Sequence, residues 1–259
     1  LTISIGIIST ILTSYYSQFH YDGHHYGLVF DNSFDILNGK KPFEEIFLLY
    51  GIGTVLVHSI ALKIFGEYIH SLIFFTSIIY SLSLVSIFFL SKKFITKKSS
   101  FYLILSIFLI HPMPEYPWTN YIIFFLLTTG LTFLFSQKKF GFLIGSLLIG
   151  FCVLFRQEIL IYIFILFLFI FFIKIFNKEI KFNIFLFLFS SLVPLIIFVF
   201  YLYIFQLFEI YKNYYLLPQI FLEFKNENLF DLFARFLKYL FIPNLSKIIF
   251  EPYLIIFAT

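Results

Sequence analysis

Hydrophobic positions along this chain fall in long unbroken runs separated by short polar connections. The runs lie at about 1–15, 69–91, 99–112, 119–136, 140–155, 159–176, 184–207 and 236–259. Runs of this kind read as helices in a bilayer, where every backbone polar group must be satisfied within its own segment. Most hold roughly 14 to 24 residues, and at ~1.5 Å per residue the shorter ones barely cross a ~30 Å hydrocarbon layer. Short spans predict helices that stop early and leave a recess on one face. The pattern predicts an all-α bundle of about 7–8 transmembrane spans, one membrane module over residues 1–259. The chain opens on Leu1 and stops inside an apolar stretch, so both ends are expected to be truncated.

Composition agrees with that pattern. Hydrophobic residues make up 61% of the chain and charged residues 12%, where a soluble domain carries about a quarter charged. Mean hydropathy is +0.97. The 43 Phe fit the codon bias of an AT-rich genome and do not mark a cofactor box. Cys152, the single cysteine, sits in an apolar run and reads as an inert small hydrophobe. The net charge of +4 is modest and forms no patch suited to nucleic acid. No phosphate-loop, dinucleotide, nucleophile-elbow or zinc-protease motif occurs.

The distribution of charge says more than its sum. One set of alternate connections holds Lys92, Lys93, Lys97, Lys98, Lys138, Lys139, Lys174, Lys178 and Lys181, with Glu179 as its acid. The opposite set holds Asp22, Asp31, Asp35, Glu44, Glu45, Glu67, Glu115, Glu158 and Glu209 beside a few cations. Lysine-rich connections stay in the cytoplasm, so the acidic ones face outward. Keeping this alternation requires a break at Arg156, because one helix over 140–176 would run ~55 Å, too long for a single crossing.

The first outer segment, residues 16–67, carries most of the candidate chemistry. Asp22 directly follows the first run, and Glu44 and Glu45 follow the Asn38-Gly39 turn signal. A carboxylate at the membrane boundary loses hydration, which is expected to raise its pKa and fit it to take a proton from a hydroxyl. An extended chain would put His20, Asp22 and His24 on one side, with His25 adjacent. That spacing matches no strong metal template, so no metal is expected to be required, and replacing His24 and His25 should leave activity largely intact. Tyr50 precedes Gly51 at the start of an apolar, helix-like run. Arg156, flanked by apolar residues, is a candidate anion fork. Tyr50, His24, His25, Glu158 and, in the proline-rich stretch 111–120, Glu115 are possible substrate contacts. Residues 208–235 mix Tyr, Lys and acids and are expected to lie along the interface.

The motifs YDGHHYG, DILNGKKPFEEIFLLYGIG, a short helix ending in IFGE, and FCVLFRQEIL together resemble the polytopic GT-C glycosyltransferases. The resemblance is to the dolichyl-phosphate-mannose-protein mannosyltransferase-like and aminoarabinose-transferase-like group, over roughly residues 10–180. It implies transfer of a sugar from a polyprenyl-phosphate donor to an acceptor hydroxyl on a lipid, glycan or protein, with inversion, and without a cofactor. It implies a bacterial inner membrane enzyme whose site faces the periplasm. The family's early loop acid falls on Asp22, and a second loop acid on Glu44 or Glu45. Arg156 would hold the donor phosphate. The competing expectation is a transporter or a flippase for lipid-linked glycans. Such proteins carry broken helices in paired repeats and ionisable groups near mid-membrane, and neither stands out here.

Overall fold

The computed structural model describes residues 2–48, 50–110, 117, 119–136, 139–157, 159–176 and 184–213. Regular structure among them is helical, with one isolated bridge between Pro42 and Ile46. The chain divides into two compact units, Leu1–Leu207 and Phe208–Thr259. Of the second, only the single turn α10 (Phe208–Tyr211) and the two residues after it are described, with a 3.7 Å ion pair from Glu209 to Lys212. Most of the predicted interfacial stretch 208–235 and the last apolar run, 236–259, lie outside the described residues.

The first unit holds α1 (Thr2–Ser17), α2 (Gly23–Leu37), α3 (Ile52–Phe65), α4 (Ile69–Ser91), α5 (Lys97–Ile110), α6 (Thr119–Leu134), α7 (Lys139–Phe151), α8 (Ile159–Phe176) and α9 (Ile184–Ile204). Seven of these helices match apolar runs to within a few residues. Two, Ile69–Ser91 and Phe185–Ile204, are long and apolar enough to cross a membrane. Helices α1, α3, α6 and α7 have 16, 14, 16 and 13 residues, short of the ~20 that a straight crossing takes. Much of the outward surface is apolar: on α9, Phe185 is 86% exposed and Phe189 68%. A surface of this kind is stable where its neighbours are hydrocarbon.

The stretch read as an outer loop is mostly helical. Asp22 starts α2, whose buried Tyr26, Val29 and Ser33 recur at helical spacing. Gly66, at φ +100°, ends α3. These two helices pack on the N-terminal part of α4 through Tyr26, Val29, Ala61, Leu62, Leu72 and Ile73.

Helix α4 is the hub, touching α1, α3, α5 and α6. Its hydroxyls are consumed locally: Thr76, Ser77 and Ser83 donate to the carbonyls of Leu72, Ile73 and Ile79. Others tie helices together, as in Ser81 to Ser9 at 3.0 Å and Ser86 to Thr129 at 2.7 Å. Helices α6 and α7 cross closely because both present glycine. A side-chain carbon at Gly145 would lie 2.6 Å from the Gly130 carbonyl oxygen, so any larger residue forces the helices apart.

These contacts fix direction. Gly6 meets Val85 and Ser9 meets Ser81, so α1 runs antiparallel to α4. Ser83 reaches Tyr121 and Ser86 reaches Thr129, so α6 runs parallel to α4. Gly130 faces Ile149 and Ile123 faces Cys152, so α7 runs antiparallel to α6. The end of α1, the starts of α4 and α6 and the end of α7 therefore share one end of the bundle. The α4–α5 connection with Lys92, Lys93, Lys97 and Lys98 lies at the other, where Lys93 Nζ donates to the Phe135 carbonyl at 3.3 Å.

Candidate functional site

Asp22 sits at the end of α1 and caps α2. Its Oδ1 accepts from the backbone N–H groups of His24 at 2.8 Å and His25 at 3.1 Å. Its Oδ2 lies 3.0 Å from His25 Nδ1. The backbone N–H of His25, its ring and the backbone N–H of His24 all favour the ionised carboxylate, and its pKa lies below the ordinary aspartate value. This corrects the expectation that the membrane boundary raises it: the hydrogen bonds outweigh the desolvation. Residues 20, 22 and 24 do not share an extended face either, because the chain is helical from Gly23 onward. Helix α2 puts His25 on Asp22 and leaves His24 exposed, its ring edge-on to His25. Among the described residues, no three His, Cys, Asp or Glu side chains are grouped to hold a metal ion.

Glu44 and Glu45 share the turn after Pro42 with Lys41. Lys41 Nζ lies 3.3 Å from Glu44, and the Lys41 backbone N–H donates to Glu45 at 2.7 Å. Lys40 pairs with Asp35 at 2.8 Å. Both glutamates are thus engaged by Lys41, Glu44 by its ammonium and Glu45 by its backbone N–H, and both are exposed. The turn is fastened to α2 by Asn32, which donates to the Phe47 carbonyl at 3.0 Å.

The second grouping forms where α7 ends. A single 3-10 turn, Cys152–Leu154, interrupts the helix before Arg156, and α8 begins at Ile159. The break expected from charge alternation is there. It exposes backbone carbonyls, and the Gly51 N–H donates to one of them, Phe155 O, at 3.0 Å. The approach is so close that a side-chain carbon at Gly51 would overlap the Leu154 carbonyl and stand 2.7 Å from that of Phe155. Glycine is the residue that lets these two backbones meet. The neighbouring Tyr50 lies within reach of the Arg156 charge: burial raises its hydroxyl pKa, and Arg156 pulls it partly back.

Helix α6 completes the grouping. Arg156 Nη1 donates to Asn120 Oδ1 at 3.1 Å. The adjacent Thr119 shares a 3.0 Å hydrogen bond with Thr54 of α3, both buried. His58, one turn on, donates from Nδ1 to the Thr54 carbonyl at 2.7 Å, and burial pushes its pKa down to about 4. Three separated stretches, at residues 50–58, 119–120 and 152–156, thereby meet at one end of the bundle. Beside them an apolar cleft of about 390 Å³ opens between α8 and α9, lined by Leu160, Ile163, Phe164, Phe167, Leu188 and Leu192.

The structure thus brings Tyr50 to Arg156 and His25 to Asp22, and engages Glu44 and Glu45 with Lys41. Glu115 and Glu158 lie outside the described residues. Asn120, Thr54 and Thr119 carry no role in the sequence reading. Only the glycines of Tyr50-Gly51-Ile52-Gly53 hinted at a close backbone approach. No family model, curated protein or solved structure matches the chain.

Proposed function

We propose that this chain is the membrane core of a multi-pass glycosyltransferase, moving a sugar from a polyprenyl-phosphate donor to an acceptor hydroxyl with inversion. One observation carries the reading. The Tyr50-Gly51 segment docks on the helix break that bears Arg156, at the same bundle end as Asp22. A capped, ionised carboxylate and a guanidinium held by Asn120 are the two charges such a transfer needs. The apolar cleft starting four residues after Arg156 has the chemistry to take a prenyl chain.

Asp22 accepts the proton of the acceptor hydroxyl. The acceptor oxygen bonds to the anomeric carbon while the bond from that carbon to the phosphate oxygen breaks, and the polyprenyl phosphate leaves from the opposite face as an anion. The Arg156 fork binds that anion as its charge grows. A carboxylate with a lowered pKa is a weaker base, but it is already ionised at neutral pH. The acid limb of the activity profile should therefore lie below that of an ordinary aspartate.

The test is transfer of radiolabelled sugar from polyprenyl phosphate in membranes, at matched protein levels. Asn caps a helix as well as Asp does, so Asp22→Asn keeps α2 and weakens the base. It should lower turnover by about 10² to 10⁴ with donor affinity little changed. Arg156→Ala should lower both donor binding and turnover, with Arg156→Lys recovering only part. Near-normal transfer by Asp22→Asn would remove it as the base and leave Glu44 or Glu45. If wild-type membranes move the glycan across the bilayer without transferring sugar, the flippase reading replaces this one.

A further inference from the structure

We infer that the connection between α4 and α5 is a binding site for the headgroups of anionic phospholipids. Lys92, Lys93, Lys97 and Lys98 fall within one turn-sized segment, and every residue from Lys92 to Ser99 is exposed. No carboxylate lies within ion-pair distance of any of the four among the described residues. Carboxylates elsewhere in the bundle pair with Lys40 and Lys41.

The backbone adds to the positive field. Thr96 caps α5, with the Ser99 N–H donating to its Oγ1 at 3.1 Å. Lys97 and Lys98 then occupy the first turn of α5, where no acid is present. Cations at a helix N-terminus meet the positive end of the helix dipole, the unfavourable arrangement. An external anion relieves it, and relieves the mutual repulsion of the four ammonium groups.

The apolar residues between the lysines select a lipid over a soluble anion. Phe94 and Ile95, at the tip, are 64% and 44% exposed. Lys92 Nζ stands 5.2 Å from the Phe89 ring centre and Lys98 Nζ 5.9 Å from that of Tyr102. These two ammonium groups thus lie over rings that are themselves 44% and 53% exposed, so charge and apolar surface are presented together. A headgroup phosphate among the lysines, with acyl chains against Phe89, Phe94 and Tyr102, satisfies both kinds of surface.

This inference rests on the membrane reading but not on the glycosyltransferase one. The experiment is native mass spectrometry of the full chain, purified in detergent and offered equal phosphatidylglycerol and phosphatidylcholine. Wild type should retain phosphatidylglycerol preferentially. Changing Lys92, Lys93, Lys97 and Lys98 to Gln should cut that preference by roughly tenfold or more, and returning them as Arg should restore it. Lys40→Gln with Lys63→Gln, at the other end, should leave it unchanged. Raising ionic strength on wild type should also weaken it, a readout that needs no variant. Equal retention of both lipids by wild type, an unchanged preference in the four-Gln variant, or full displacement by millimolar inorganic phosphate would overturn the site. A chain that stays soluble without detergent and retains neither lipid would instead overturn the membrane reading.

Discussion

The two ends of the bundle handle charge in opposite ways. At the end bearing Asp22 and Arg156, ionised groups are folded into the structure: Asp22 caps α2, Lys41 gathers Glu44 and Glu45, and Arg156 is held by Asn120. At the lysine-rich end, four cations stand exposed, and no carboxylate among the described residues answers them. Compensated charges can be fixed in position, which chemistry on a substrate requires. Uncompensated ones act through their field on whatever lies outside. On the proposed reading, chemistry and orientation fall to different ends of the same helices.

The sharpest way to break this comparison is to ask whether the ends lie on different sides of a membrane. With Cys152 replaced, Asn38→Cys should react with an impermeant maleimide added outside intact cells, and Ile95→Cys should react only after lysis. The reverse pattern would invert the orientation, and labelling of both from outside would remove the span between them.

The next effect in size is at the docking point. Gly51→Ala should cost on the order of 3 kcal/mol, because the added carbon overlaps backbone carbonyls that cannot rotate away. Thermal unfolding in detergent checks this; an unchanged midpoint would mean that Gly51 does not rest on Phe155. Gly39→Ala, strained by φ +83° but in open space, gives the comparison for backbone strain without a clash.

His58 gives a pH test of the same end. Burial pushes its folded pKa down to about 4, below the ordinary histidine value of 6.5, so the unfolded chain binds more protons between those values. Stability should therefore be full above about pH 6.5 and fall as pH drops towards 4, by up to about 3 kcal/mol. His58→Asn should flatten that decline, and an equally steep decline in the variant would clear His58 of it. Smallest is Thr54→Val, which strands the buried Thr119 hydroxyl and should cost roughly 1–2 kcal/mol. Its sharper readout is weaker donor binding, since Thr119 adjoins the Asn120 that holds Arg156; a stability loss with unchanged binding would confine Thr54 to a structural role.

Much of the fold was legible in sequence because a helix in hydrocarbon needs only a contiguous apolar run. The observed α4 and α8 have the bounds of their runs. The break at Arg156 could be read from charge alternation and length alone. Helix α2 was less visible, although Tyr26, Val29 and Ser33 carry its period, because three histidines and three aspartates in 20–35 made the segment look like a loop.

The sequence by itself determined the helical class, the apolar outer surface and the sorting of lysines from acids, because each depends on residues close together in the chain. Only the tertiary structure decided what the polar residues do. Asp22 became a helix cap with a lowered pKa because amides two and three residues on turned back to it. Asn120 came to hold Arg156 through the crossing of α6 with α7, and Gly51 came to meet Phe155 through the packing of the start of α3 on the helix break, joining residues 36 and 104 positions apart. No local pattern encodes those meetings. They follow from which helix faces are small enough to approach and which backbone carbonyls a helix break leaves open.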